Sequence, residues 1–66
     1  MTPKYLHIKV KLIGEDGNAF NIIALVRKAM RDAGLPNPTI TEFIRQATSG
    51  DYNHLIRTVM EWVEVE

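Results

Sequence analysis

The chain has no cysteine, no long apolar run and no excess of charge of either sign. Without cysteine it can form no disulfide, and its two histidines, His7 and His54, lie too far apart for the usual metal-ligand spacing. We therefore expect no metal and no cofactor. We expect one domain, residues 1–66, with a small core. Because small domains without such cross-links commonly gain stability by oligomerisation, we also expect self-association.

The charges balance, since eight Lys and Arg oppose eight Asp and Glu. This balance removes the simplest argument for a nucleic-acid partner, because nucleic-acid-binding domains are commonly basic. The longest apolar run covers residues 22–26, far fewer than the ~20 residues of a membrane span. The first residues lack the apolar stretch of a signal peptide. We expect a soluble cytoplasmic protein with no membrane partner.

Residues 5–13 alternate between apolar and polar side chains, the period of a strand with one buried face. We expect the buried face to carry Leu6, Ile8, Val10 and Leu12. The opposite face carries Tyr5, His7, Lys9 and Lys11. Because a lone strand leaves backbone groups unpaired, this strand needs a partner.

The closing residues, 62–66, alternate in the same way and are rich in β-forming side chains. If they pair with the first strand, Glu64 and Glu66 fall on the face of Lys9 and Lys11, so that opposite charges meet. Two alternatives stay open: the last helix continues through Val63 and frays, or the first strand pairs with a second copy of the chain.

Apolar side chains at helical spacing predict three amphipathic helices between the strands, over about residues 19–33, 40–48 and 52–61. Asp16 or Asn18 would cap the first helix, and Gly34 would end it in a Schellman motif with Leu35 folded back on Met30. A capping box is predicted at residues 39–42, and Asp51 would cap the third helix. The predicted fold class is therefore α+β, in the order β-α-α-α-β.

Two groups of polar residues resemble parts of a catalytic or ligand-binding site, but their spacing is better explained by structural roles. Ser49, Asp51 and His54 contain the residue types of a catalytic triad, yet serine and aspartate here compete to cap one helix. Residues 15–18 resemble part of a calcium loop or a phosphate cradle, but they lack most of the ligands and carry repelling carboxylates. We predict caps and a turn, no catalytic residues and no enzyme.

Basic and aromatic residues give the candidate contacts. The basic face of the first strand would suit a DNA major groove if two copies formed a ribbon, and residues 5–48 resemble the strand-helix-helix order of ribbon-helix-helix repressors. Trp62 either faces outward as an anchor for a partner or closes the edge of the core. Arg27, Lys28 and Arg31 form a second basic group, which we interpret as a solvated helix face. The candidate interface or nucleic-acid contacts are Tyr5, His7, Lys9, Lys11 and Trp62.

Three segments, DGNAF at residues 16–20, TSGDYNHL at 48–55 and WVEVE at 62–66, resemble a family of small uncharacterised bacterial and phage proteins. This resemblance implies no activity or site. The helical part is also similar to ubiquitin-associated modules through Gly50-Asp51, which implies a protein-binding surface. We expect a non-enzymatic, self-associating protein-interaction module, a homodimer or a partner of another protein; the alternative is a DNA-binding protein of the ribbon-helix-helix kind.

Overall fold

A short parallel pairing between the two ends of the chain organises the fold. The computed structural model describes residues 3–12 and 17–66. In chain order the elements are β1 (Tyr5–Val10), α1 (Ala19–Asp32), α2 (Asn37–Ala47), α3 (Tyr52–Trp62) and β2 (Val63–Val65). The predicted α+β class and β-α-α-α-β order are confirmed. β1 ends at Val10, earlier than the predicted end at Ile13. Ile13 itself and the alternative cap from Asp16 lie outside the described residues.

β1 and β2 run parallel, with Lys9 opposite Glu64 and Val10 opposite Val65. Backbone bonds continue the pairing beyond the strands, because Glu66 N–H donates to the Val10 carbonyl (2.8 Å) and Leu12 N–H donates to the Glu66 carbonyl (3.0 Å). The strand pairing predicted for the C-terminus is confirmed, and the alternative of a third helix that continues through Val63 is wrong. The strands are parallel because the three helices return the chain to the end of the sheet where it began.

The alternation in β1 holds only in its second half. Ile8 and Val10 are buried as predicted, whereas Leu6 is 53% exposed, so its placement on the buried face is wrong. The pairing register shifts between Tyr5 and Lys9, because Tyr5 lies opposite Val63 and Lys9 lies opposite the very next residue, Glu64. At this irregularity Tyr5 packs against the core instead of Leu6.

The ends of α1 form as the sequence indicates. The Asn18 side chain accepts a hydrogen bond from Phe20 N–H (2.8 Å). Gly34 has a φ of 87°, and Leu35 N–H and Gly34 N–H donate to the carbonyls of Met30 (3.1 Å) and Arg31 (3.0 Å). These two bonds define the predicted Schellman motif.

α2 begins at Asn37, which is earlier than predicted, and the capping box at residues 39–42 is wrong. Pro36 occupies the N-cap position without a side-chain cap bond, and Pro38 lies in the first turn. Proline is tolerated there because the first N–H groups of a helix have no intrahelical acceptor. Glu42 instead contacts Arg45 and Gln46.

α3 begins after the predicted cap, since the Asp51 carboxylate accepts from His54 N–H (2.9 Å). Among the described residues, each helix buries one apolar stripe in a shared core: α1 packs on β1, α3 packs on β2, and α2 packs on α1 and α3. The largest fully buried side chains are those of Phe43, Met30, Val26, Val59 and Val63. Burial of these stripes, at about 1.5–3 kcal/mol per large side chain, is the main stabilising contribution.

Candidate interaction surfaces

The predicted basic face of β1 is accessible. His7, Lys9 and Lys11 are exposed, whereas Tyr5 is half-buried. Lys9 Nζ lies 3.8 Å from a Glu64 carboxylate oxygen, so the predicted meeting of opposite charges is confirmed at this pair. Such an exposed pair contributes little to stability. Within the described residues, His7 and Lys11 take part in no ion pair.

Trp62 lies in the core, and its placement as an outward-facing anchor is wrong. Its side chain is only 4% exposed; its ring meets Phe43 edge-on, with ring centroids 5.6 Å apart. The indole N–H donates to the Gln46 side-chain carbonyl (3.1 Å), and Lys4 Nζ lies 4.2 Å from the indole centroid. Trp62 is the last residue of α3, so the alternation of the following strand does not determine its direction.

The Ser49, Asp51 and His54 group joins the ends of two helices. Ser49 Oγ lies 3.1 Å from His54 Nε2, but Nε2 also lies 2.8 Å from the Gln46 carbonyl. Because a carbonyl only accepts, Nε2 carries the proton and cannot receive one from serine. The Asp51 carboxylate binds the His54 backbone N–H, so it does not orient the imidazole as a triad requires. The three side chains form hydrogen bonds with backbone groups at the end of α2 and the start of α3 that have no partner within those helices.

An apolar groove, here called the Phe20 groove, opens between the start of α1 and the turn that joins α2 to α3. Its volume is about 380 Å³. Phe20 on its rim is 83% exposed, the most exposed of the large apolar side chains in the described part of the chain. The groove is lined by Ala19, Phe20, Ile23, Ala47, Thr48, Gly50, Asp51, Tyr52 and Leu55.

One hydrogen bond and one close approach of the backbone shape the walls of the Phe20 groove. The Tyr52 hydroxyl donates to the Gly17 carbonyl (2.6 Å), which ties α3 to the segment before α1. Gly50 leaves no room for a side chain, because an added Cβ would lie 2.8 Å from His54 Cγ. Sequence reasoning missed this groove, although one signal was present: Phe20 is a large apolar residue away from the buried stripe of Ile22, Val26 and Met30.

A second concavity, here called the lysine cleft, lies between β1 and the C-terminal half of α1. Its volume is about 260 Å³. Lys28 Nζ lies 3.0 Å from an Asp32 carboxylate oxygen. The sequence placed Lys28 with Arg27 and Arg31, whereas the structure brings Lys28 to the same cleft as Lys9 and Lys11. The cleft is lined by Lys9, Val10, Lys11, Leu25, Lys28, Ala29 and Asp32.

Comparison with protein-family models, with curated proteins and with solved structures finds no match to this chain. The resemblance to small bacterial and phage proteins therefore stays a prediction. Across residues 3–12 and 17–66, no three histidine, cysteine or acidic side chains are grouped closely enough to hold a metal ion. None of the helices in the described part of the chain has the length and apolar character needed to cross a bilayer.

Proposed function

We propose that the protein is a non-enzymatic protein-interaction module that self-associates through the Phe20 groove. The observation that carries this proposal is the exposure of Phe20, 83%, at the rim of an apolar groove. Water contact with a large aromatic ring is unfavourable, and an apolar patch of this kind is typical of an interaction site. The small core, which no disulfide cross-links, gives an independent reason why a second copy of the chain would add stability.

The shape of the groove favours a second copy of the chain as the occupant. In a twofold dimer the same patch serves both partners, so it must contain both a projecting group and a recess. The Phe20 groove contains both, because Phe20 is exposed beside the small residues Ala19, Ala47 and Gly50. In the dimer, Phe20 of each copy occupies the recess of the other. The zero net charge presents no long-range repulsion between copies.

The mass in solution as a function of concentration tests this proposal. We expect a dimer by analytical ultracentrifugation, and we expect Phe20→Asp to make the protein monomeric, because a carboxylate would be buried without a partner. Phe20→Ala should weaken the dimer without that penalty. Met60→Ala is the matched control, since Met60 is exposed but does not line the groove.

Circular dichroism and thermal unfolding of Phe20→Asp must show a folded monomer, so that loss of the dimer is distinguished from loss of the fold. A monomeric wild-type chain at the highest concentrations would overturn the proposal. So would a dimer that Met60→Ala disrupts as strongly as Phe20→Asp does.

We place the module in the cytoplasm, and we retain its similarity to small bacterial and phage proteins as part of the same proposal.

DNA binding through β1 is the second candidate function. It is supported by the exposure of His7 and Lys9 on β1 and of Lys11 just after it, and it is weakened by the Glu64 carboxylate beside Lys9. This function predicts salt-dependent binding of duplex DNA that Lys9→Ala combined with Lys11→Ala abolishes. Arg27→Ala combined with Arg57→Ala removes the same charge elsewhere and is the control. No binding to duplex DNA at low salt would eliminate this candidate.

A further inference from the structure

We infer that the lysine cleft binds a small polyanion that carries two or three phosphate or carboxylate groups. Lys9 reaches the cleft from β1, Lys11 from the residue that follows β1, and Lys28 from α1, so residues distant in sequence converge on one concavity. Ammonium groups are strong donors to such oxyanions. The cleft shares no residue with the Phe20 groove, and this site is independent of the proposed self-association.

The ammonium groups are available to a ligand. Lys11 takes part in no ion pair within residues 3–12 and 17–66. Within the same residues, Lys9 pairs with Glu64 at 3.8 Å and Lys28 pairs with Asp32 at 3.0 Å. Both of these pairs are exposed to solvent, where ion pairs are weak and long lysine side chains reorient readily. A polyanion that contacts several lysines together can therefore displace the Glu64 and Asp32 carboxylates from Lys9 and Lys28.

The floor of the cleft gives the site its shape. It consists of the buried Val10 and the half-buried Leu25 and Ala29. These side chains belong to the packed interface between β1 and α1, so they fix the spacing of the lysine stems. At about 260 Å³, the cleft is smaller than the roughly 300–1,000 Å³ typical of pockets for drug-sized ligands. The size thus favours a small ligand, such as a diphosphate or a tricarboxylate.

Asp32 provides the sharpest test, because its carboxylate lines the cleft and holds Lys28. Asp32→Asn removes the repulsion of the ligand and releases Lys28, so it should tighten binding severalfold. Lys11→Ala and Lys28→Ala should each weaken binding about tenfold, the usual effect of one charge-assisted contact. Lys28→Arg should retain most of the affinity.

The experiment titrates the full chain at low salt with pyrophosphate and, separately, with citrate, and follows backbone amide shifts by NMR. We expect saturable shifts at Lys11, Leu25 and Ala29, and the tighter of the two probes identifies the oxyanion that the cleft prefers. Arg27→Ala is the control, because Arg27 is an exposed cation on α1 that does not line the cleft. Amide spectra of each variant show that it is folded.

Three results would overturn the inference. The first is the absence of saturable shifts with both probes. The second is equal weakening by Arg27→Ala and Lys28→Ala, which would indicate general attraction to positive charge and no site. The third is binding of duplex DNA far more tightly than either probe and without any effect of Lys28→Ala, which would assign Lys9 and Lys11 to the second candidate function.

Discussion

The phenol ring of Tyr5 stacks on the indole ring of Trp62, with centroids 5.9 Å apart and planes inclined by 27°. These residues lie near opposite ends of the chain, and their contact occurs where β1 begins and α3 ends. Lys4 N–H donates to the Glu61 carbonyl (2.9 Å) beside this stack. The stack therefore holds the start of β1 against the end of α3. It explains why Trp62 is buried and Tyr5 is half-buried, although strand periodicity alone would direct both side chains outward.

Trp62→Ala should lower the free energy of unfolding by about 3–5 kcal/mol, because it leaves a cavity against Tyr5 and Phe43 and removes the donor to Gln46. Urea unfolding followed by circular dichroism measures the change. Met60→Ala, on the exposed face of the same helix, should change stability by about 0.5 kcal/mol or less. Equal effects of the two substitutions would contradict the core position of Trp62.

Gly50→Ala should destabilise the fold by about 1–3 kcal/mol, since the new Cβ would lie 2.8 Å from His54 Cγ and the turn would have to move. In the Gly50→Ala background, removal of the imidazole ring by His54→Ala should recover part of the lost stability. Recovery is partial because the distance to His54 Cβ would still be 2.9 Å. A double-mutant cycle by urea unfolding measures this coupling. Strictly additive effects would show that the close approach to His54 is not the reason for glycine at this position.

Gly34→Ala should destabilise the fold by about 1 kcal/mol for a different reason. A Cβ at Gly34 would meet no atom within 4 Å, but the φ of 87° strains any residue that has a Cβ atom. Gly34→Asn should cost less, because asparagine adopts left-handed conformations more readily. Thermal unfolding of the two variants compares them. If Asn proves as costly as Ala, strain at the Schellman motif is not the cause.

The stability of the protein should depend on Glu42 at acidic pH. Hydrogen bonds from Arg45 and then Gln46 lower the pKa of the Glu42 carboxyl from 4.5 to about 2, and the same carboxylate raises the pKa of Arg45. A lowered folded-state pKa means that the unfolded chain takes up the proton first. The stabilisation is complete above about pH 4.5 and is lost as the pH falls towards about 2.

Urea unfolding of the wild type and Glu42→Gln between pH 2 and neutral pH, about the range in which carboxylates titrate, tests this dependence. The free energy of unfolding of the wild type should exceed that of Glu42→Gln at neutral pH, and this difference should disappear as the pH falls through the acidic window. Asp32→Asn is the control, because it removes another exposed carboxylate that forms an ion pair within one helix. A difference between wild type and Glu42→Gln that stays constant with pH would contradict the role assigned to the carboxylate.

Much of the local structure follows from short stretches of sequence. Asn18, Gly34 and Asp51 form the caps and the helix end that their residue types indicate, because each makes its bonds within a few residues. The start of α2 was missed for a related reason. A capping box and a proline-containing first turn are both compatible with residues 36–42, and the local sequence does not separate them.

The candidate surfaces were less predictable. Lys9 and Lys11 could be named from the alternation of β1, but Lys28 joins them only because α1 packs beside that strand. The Phe20 groove likewise requires the start of α1 to meet the turn before α3, which the Tyr52 to Gly17 hydrogen bond secures. Periodicity describes one element at a time, so it cannot show which exposed side chains from different elements share a concavity.

By itself the sequence determined the order of the elements, the buried stripes and most helix ends, because these depend on side-chain period and on bonds between near neighbours. Only the tertiary structure decided that Leu6 is exposed while Trp62 is buried and Tyr5 packs half-buried against the core. The physical reason is packing: the end of α3 and the shifted strand register determine which side chain meets the core. The same docking of distant elements created both surfaces on which the proposed functions depend.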